Sequence, residues 1–544
     1  MNTVPNQPKP LRGLRSLYLR INLRISDYGS LPSPKEPGRK ELLTVFPLFL
    51  AISLFILFFN STHSPFYRYS FSQDANIYMD IARAMRHGAL PYRDVFDHKG
   101  IWVYFINYLG DLLFPNAMTG IYLILSVSCA TFMFYAYRFS RLFLPNRPAL
   151  IATLFLPIIS HTGILYTNGG GSIEEYQMPI IMACLYYLTV IFRYAEGNST
   201  GSRRRIYWGF FAVGFGCGLI LWMKPTPIPA IAVSYMFLLF VLFRRKGIRE
   251  ATVAMFSLIG GGIPVSITCL LYLLNNGLIS EMWSAYIVFN ASYTGMDHGI
   301  QPELFLPLTI YLGVIPLSLA VAGIMFLRVE TKVFSKIGAL AAAFFPVGVF
   351  ILQSMARRSL LYYFLVFVPF SAITLTAVVF YLLAKSERSP VLGRLRGHGK
   401  ALVATAIALV LIVATAGSAI DRWDKGAVVM PKSEMERCGA IAAEYWKAEG
   451  DGTPPSVVCF FSSDLGINQL LSTYPQHRYF YYPGVSDEHG KEIRLEQESY
   501  IRAATADFIF SYYDTVERIN PEYRLLFFGP ETGYIYIYAR EARE

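Results

Sequence analysis

Eleven mostly apolar stretches run through the chain, at 42–60, 118–138, 149–167, 178–194, 206–223, 226–243, 252–274, 304–327, 336–354, 360–384 and 401–420. A helix needs about 20 such residues to cross a bilayer core about 30 Å thick. Lipid offers no water to backbone amides, so only helices or a closed barrel can span it. The expected fold class is therefore a polytopic α-helical membrane protein of about eleven spans. Composition agrees: 54% of residues are hydrophobic and 16% charged, where soluble domains average about 25% charged. The stretch 101–115 is shorter and contains Asp111, so it is expected to lie at the interface or to re-enter. The first apolar run reads as a signal anchor, because no cleavage signal precedes it.

The formal net charge is +11, but Lys and Arg occur as short clusters in alternate loops and not as one basic groove, which excludes nucleic acid as a partner class. Under the positive-inside rule, residues 1–41 form a cytoplasmic basic tail and 42–420 the membrane domain, with long outer loops at 61–117 and 275–303. Residues 421–544 then lie outside. There the periodicity changes: 456–462, 478–482, 507–512 and 533–539 read as strands, and 433–448 and 491–504 as helices, giving a small α/β domain. Cys129, Cys184, Cys217 and Cys269 fall in apolar runs and read as core residues. Cys438 and Cys459 could pair on an oxidising side. No His/Cys cluster has metal-ligand spacing; a divalent metal in the acidic loops is possible but not indicated.

Ionisable groups within lipid usually mark ion or substrate paths. The spans hold almost none, and His161 reads as a hydrogen-bonded structural residue, which weighs against an ion-coupled transporter. Acids gather instead in the outer loops: Asp74, Asp80, Asp94, Asp97 and Asp111 in the first, Glu174 and Glu175 in the second. Lys224, Arg357 and Arg358 stand on the same side, where topology disfavours cations, and Arg forks match phosphate geometry. Plainer readings stay open. Asp74 could cap a helix, the glutamates could answer a helix dipole, Gly169, Gly170 and Gly171 could be a simple turn, and the Arg pair could meet acids of the C-terminal domain or lipid headgroups.

The stretch QDANIYMDIARAMRHGALPYRDVFDHKGIWVY at 73–104 resembles the first outer loop of bacterial GT-C membrane glycosyltransferases, nearest the family 39-like group of protein O-mannosyltransferases and lipid A aminoarabinose transferases. The matching residues are Asp74, Tyr78, Ala82, Gly88, Pro91, Tyr92, Phe96, Asp97 and Lys99, and GGGSIEEYQMP looks like that group's second acidic region. Ala75 stands where some members carry a second acid, and Gly100-Ile101 replaces Pro-Pro. The resemblance implies a bacterial cytoplasmic-membrane enzyme moving a hexosyl or pentosyl group from a polyprenyl-phosphate donor to a glycan, lipid or protein acceptor at the outer face. It implies Asp74 as general base, with Glu174 or Glu175 orienting the acceptor or sharing that role. Lys99, Arg357, Arg358 and, more weakly, Lys224 would meet the donor phosphate. Asp97 would hold Lys99, with Tyr78 and Tyr92 in support. The rival readings are a lipid-linked sugar flippase or other transporter, and a non-catalytic envelope-glycan assembly protein.

Overall fold

A computed structural model describes residues 37–70, 72–166, 168–197, 202–294, 306–331, 333–355, 360–388, 409–418, 420, 432–462, 466–483, 485, 490–529 and 535–541. Thirteen longer helices organise it. They are α1 (Arg39–Asn60), α2 (Gln73–Arg86), α3 (Ile101–Leu113), α4 (Thr119–Ser140), α5 (Ile173–Ala195), α6 (Arg203–Leu221), α7 (Ile228–Lys246), α8 (Ile248–Asn275), α9 (Ile315–Thr331), α10 (Lys336–Met355), α11 (Val368–Arg388), α12 (Lys432–Glu449) and α13 (Lys491–Arg502).

Among the described residues, eight helices are long and apolar enough to cross a membrane: α1, α4, α5, α7, α8, α10, α9 with the π-helical turn before it, and α11 with its 3-10 lead-in Leu361–Phe367. The protein is thus a multi-pass helical membrane protein. Three other expected spans take different forms. α6 has the length but opens on Arg203, Arg204 and Arg205. The run 149–167 is broken into helices Asn146–Leu154 and Leu156–His161 and a 3-10 turn, because Pro157 has no N–H to give the preceding turn. The last run is described as the short helix Leu409–Ser418. His161 is buried and its Nδ1 lies 2.6 Å from Ser160 Oγ.

α3 has 13 residues, about 20 Å at 1.5 Å per residue, too short to cross a bilayer core. Its Asp111 is fully buried and meets Arg86 Nε of α2 at 2.9 Å. Arg83 lies between Asp80 and Asp111, 3.7 Å from each. Of the acids that gathered in the sequence, Asp111 thereby locks α2 onto α3, while Asp80 holds the bridging Arg83 within α2.

α6 and α8 approach backbone to backbone. A Cβ added at Gly214 would overlap the Leu258 carbonyl, and one at Gly261 the Phe211 carbonyl, the small-residue contact by which helices associate in lipid. Gly261→Leu should therefore lower unfolding stability in detergent by about 1–3 kcal/mol or more, as overpacking does. A melt unchanged from wild type would refute the contact.

The C-terminal domain carries a four-stranded sheet of β1 (Val457–Phe460), β2 (Phe508–Ser511), β3 (Tyr523–Phe528) and β4 (Tyr536–Arg540), in the order β1-β2-β4-β3. β1 and β2 are parallel with Val457 opposite Phe508; the other pairs are antiparallel. The expected strand at 478–482 is irregular, although it lies along β1: Cys459 N–H donates to the Phe480 carbonyl at 2.7 Å, and Tyr482 N–H to the Ser462 carbonyl at 2.9 Å. β3 was not expected, since its continuous apolar run lacks the alternation of a half-buried strand. Cys438 and Cys459 are buried and form no disulfide.

The C-terminal domain sits on the first long loop. Asn468 Nδ2 donates to Asp80 Oδ2 at 2.8 Å, Ser70 N–H to Gln469 Oε1 at 2.9 Å, and Phe96 N–H to the Arg478 carbonyl at 2.8 Å. His87 stacks on Tyr474 with ring centroids 4.0 Å apart.

Candidate active site

Three acids open two helices. Ser72 precedes α2, whose first turn holds Asp74; Ser172 precedes α5, whose first turn holds Glu174 and Glu175. Aligned peptide dipoles leave partial positive charge at a helix start, so carboxylates are stable there. Asp74 is not the N-cap of α2. Its half-buried carboxylate instead accepts a hydrogen bond from Tyr362 Oη at 2.7 Å. Tyr362 opens the 3-10 segment that leads into α11.

Glu174 Oε1 takes Lys224 Nζ at 2.5 Å, and the same ammonium lies 3.6 Å from the Tyr363 ring centroid, a cation–π contact. Gln177, one turn along α5, fixes the lysine backbone by donating to its carbonyl at 2.7 Å. Burial alone would depress the Lys224 pKa. The charge of Glu174, with Tyr363 and Asp74, outweighs burial and holds the group above the ordinary lysine range, so the ammonium persists.

A second cation stands on the first long loop. Lys99 Nζ lies 2.6 Å from His98 Nε2, and His98 Nδ1 lies 3.2 Å from Asp97 Oδ1. Asp97 also accepts from Tyr481 Oη at 2.8 Å and Tyr104 Oη at 3.0 Å. Burial opposes the Asp97 charge, but Lys99, His98 and Tyr481 overcome it and hold the carboxyl well below the usual range. Burial, then the charge of Lys99, lowers the His98 pKa. A neutral imidazole with its proton on Nδ1 satisfies both neighbours. The Lys99 charge thus favours the Asp97 carboxylate, with the His98 ring standing between them.

The two lysines are tied through the backbone. Gly100 N–H donates to the Met223 carbonyl at 3.1 Å and Trp102 N–H to the Trp222 carbonyl at 3.0 Å. A Cβ at residue 100 would overlap the Trp222 carbonyl. This accounts for the departure from Pro-Pro, since proline would remove the Gly100 donor. Tyr92, held at φ 70°, donates from Oη to the Lys99 carbonyl at 2.8 Å. Tyr78 is buried against the cluster; burial first, then Asp74, Asp97 and Glu174, raise its pKa. The Asp74 charge is also felt at His98 and Lys224, which places these groups in one field.

Glu175 does not join them. Its Oε2 accepts the Gly171 N–H at 3.1 Å and Tyr166 Oη at 3.4 Å, closing the glycine turn. At φ +79°, a Cβ on Gly171 would lie 2.5 Å from Ala75 Cβ and 2.7 Å from His63 Nε2. Ala75 therefore fits a space that this turn fills, and a second acid there would displace it. Arg357 and Arg358 lie outside the described residues. Sequence reasoning missed Tyr362, Tyr363, His98 and Tyr481. His98 lay inside the quoted motif, and Tyr362 and Tyr363 follow the Arg pair closely, but among 37 tyrosines they read as an interfacial belt. Among the described residues, no group of three or more His, Cys, Asp or Glu is placed to hold a metal ion.

No family model matches the chain, nor does any curated protein. Among solved structures, ArnT from Cupriavidus metallidurans bound to undecaprenyl phosphate superposes with a TM-score of 0.55 at 14% identity, over 92% of this chain and 98% of that one. The chain shares the fold of this ArnT. The apo state of the same ArnT gives a TM-score of 0.54 at 14% identity, over 91% and 98%. The likeness to ArnT takes in the C-terminal domain as well as the helices, because nearly the full length of both chains superposes.

His63, against this glycine turn, is buried and its pKa is depressed to about 4. The unfolded chain takes up a proton near pH 6.5 that the folded chain refuses until about pH 4. Stability should therefore be full above pH 6.5 and fall between those values, by roughly 3 kcal/mol at about 1.4 kcal/mol per tenfold change in proton affinity. Melting curves of His63→Gln should lack this component; an unchanged pH slope would assign it elsewhere.

Proposed function

We propose that this protein transfers a sugar from a polyprenyl-phosphate donor to an acceptor at the outer face of a bacterial cytoplasmic membrane. The N-terminus would lie inside and the C-terminal domain outside. The observation that carries the reading is that the segments bearing Lys99 and Lys224 are pinned together by backbone hydrogen bonds, with the Asp74 carboxylate felt at Lys224 and at His98, the imidazole 2.6 Å from the Lys99 ammonium. The bound undecaprenyl phosphate of the ArnT structure supports the donor class. So does a largely apolar cavity of about 610 Å³, lined by Trp102, Thr131, Tyr176, Ala183, Phe215 and Met223. Trp102 and Met223 belong to the two segments that carry the lysines, so a lipid tail in that cavity would end beside them.

In this reaction Asp74 takes the proton of an acceptor hydroxyl as its oxygen attacks the anomeric carbon. The bond from that carbon to the phosphate oxygen breaks in line, and the configuration inverts. Charge grows on the departing lipid phosphate, where Lys99 and Lys224 stabilise it. Glu174 holds Lys224, and Glu175 holds the glycine turn that backs α2.

Mass spectrometry of lipids and glycans from cells with and without the protein tests this reading. Loss of the protein should leave a polyprenyl-phosphate sugar accumulated and one glycan a residue short. Unchanged lipids and glycans would move the assignment to transport or assembly.

A further inference from the structure

Among the described residues, the C-terminal domain reaches into the charged cluster through Tyr481. Tyr481 donates its hydroxyl to Asp97 Oδ1 at 2.8 Å across 384 residues of sequence. Asp97 is 2% exposed and lies beside His98 Nδ1, and His98 Nε2 lies beside the Lys99 ammonium at 2.6 Å. A carboxylate, an imidazole and an ammonium thus form one line of contacts, with the phenol at its far end.

Both ends of this line are anchored. On the domain side, the segment bearing Tyr481 is bound to β1 through the Phe480 carbonyl, and Gln497 of α13 donates to the Tyr479 carbonyl at 2.9 Å. On the membrane side, Asn290 Nδ2 donates to the His98 carbonyl at 2.5 Å, and the Phe289 ring lies 5.3 Å from the imidazole. Lysine carries a flexible four-carbon stem, so an ammonium is aimed only if something holds it. His98 is the neighbour that does so here, and the orientation of its ring depends on where Asp97 points.

We propose that Tyr481 is a positioning residue: through Asp97 and His98 it fixes the Lys99 ammonium where the donor phosphate binds, making the C-terminal domain part of the donor site. The proposal rests on the polyprenyl-phosphate reading above. Tyr481→Phe removes one oxygen and keeps the ring, so the domain interface stays packed.

The test uses the purified full-length protein and undecaprenyl phosphate as the probe. Tyr481→Phe should weaken binding about tenfold, the scale of losing a partner that orients a ligating group, in a protein that still folds cooperatively, its melting temperature lowered only by the loss of one hydrogen bond to a buried carboxylate. In transfer assays the loss should fall on donor KM, with kcat at saturating donor within about threefold, because bound phosphate recaptures the ammonium. His98→Ala should weaken binding at least as much, and the double variant should be no worse than His98→Ala, since both act through one line of contacts. Wild-type affinity in Tyr481→Phe, or losses that multiply in the double variant, would overturn the positioning role alone. Failure of the wild-type protein to bind undecaprenyl phosphate would overturn the donor reading, and the proposal with it.

Discussion

Asp74→Asn should reduce transfer from a polyprenyl-phosphate sugar by about 10²–10⁴-fold, the contribution of a positioned general base. Asparagine is nearly isosteric, and its amide oxygen can still accept from Tyr362 Oη, so the start of α2 keeps its shape. What the variant loses is the ability to take a proton. Affinity for undecaprenyl phosphate should be unchanged or tighter, because a negative charge near Lys224 and His98 has been removed. Those two outcomes separate chemistry from binding. Near-wild-type turnover would take Asp74 out of the mechanism, whereas a parallel fall in donor affinity would make it a structural anchor.

Lys224→Met should cost about 3–5 kcal/mol of stability, because it leaves the Glu174 charge buried without a partner. Glu174 is 2% exposed and Lys224 only 18%, so little solvent is at hand to compensate. Adding Glu174→Gln should recover most of that stability, since the uncompensated charge is then gone. Donor binding should stay weak in the double variant, which still lacks the ammonium. Melting curves and undecaprenyl phosphate titrations of the two single variants and the double would show this. Recovery of donor affinity along with stability would mean that Lys224 serves only to neutralise Glu174.

The acids of the first loop had one appearance in the sequence and several fates in the fold. Asp80 and Asp111 are consumed by Arg83 and Arg86. Asp94 accepts the Leu90 N–H at 2.8 Å in its own turn. Asp97 anchors His98, and Asp74 accepts from Tyr362 of a distant segment. The i, i+3 spacing of Asp80 and Arg83 was readable as a helix pair. The meeting of Arg86 with Asp111 was not, because nothing in spacing tells how two helices joined by a turn will cross. Glu174 and Glu175 were equally ambiguous. Adjacent residues on a helix point about 100° apart, so one reached Lys224 and the other the glycine turn.

By itself the sequence determined the membrane class, most of the apolar spans and the presence of a small C-terminal sheet. Each of these follows from local quantities: the length of an apolar run against the thickness of lipid, and the period of the pattern. It also pointed to Asp74 and Lys99, through a motif whose residues lie within one loop. The tertiary structure alone decided what each charge faces. Tyr362, Tyr363 and Tyr481 come from distant parts of the chain, and tyrosine is common enough in membrane proteins to carry no signal of its own. Electrostatic partnership depends on separations of a few ångströms, which only the packed helices and the docked C-terminal domain could set.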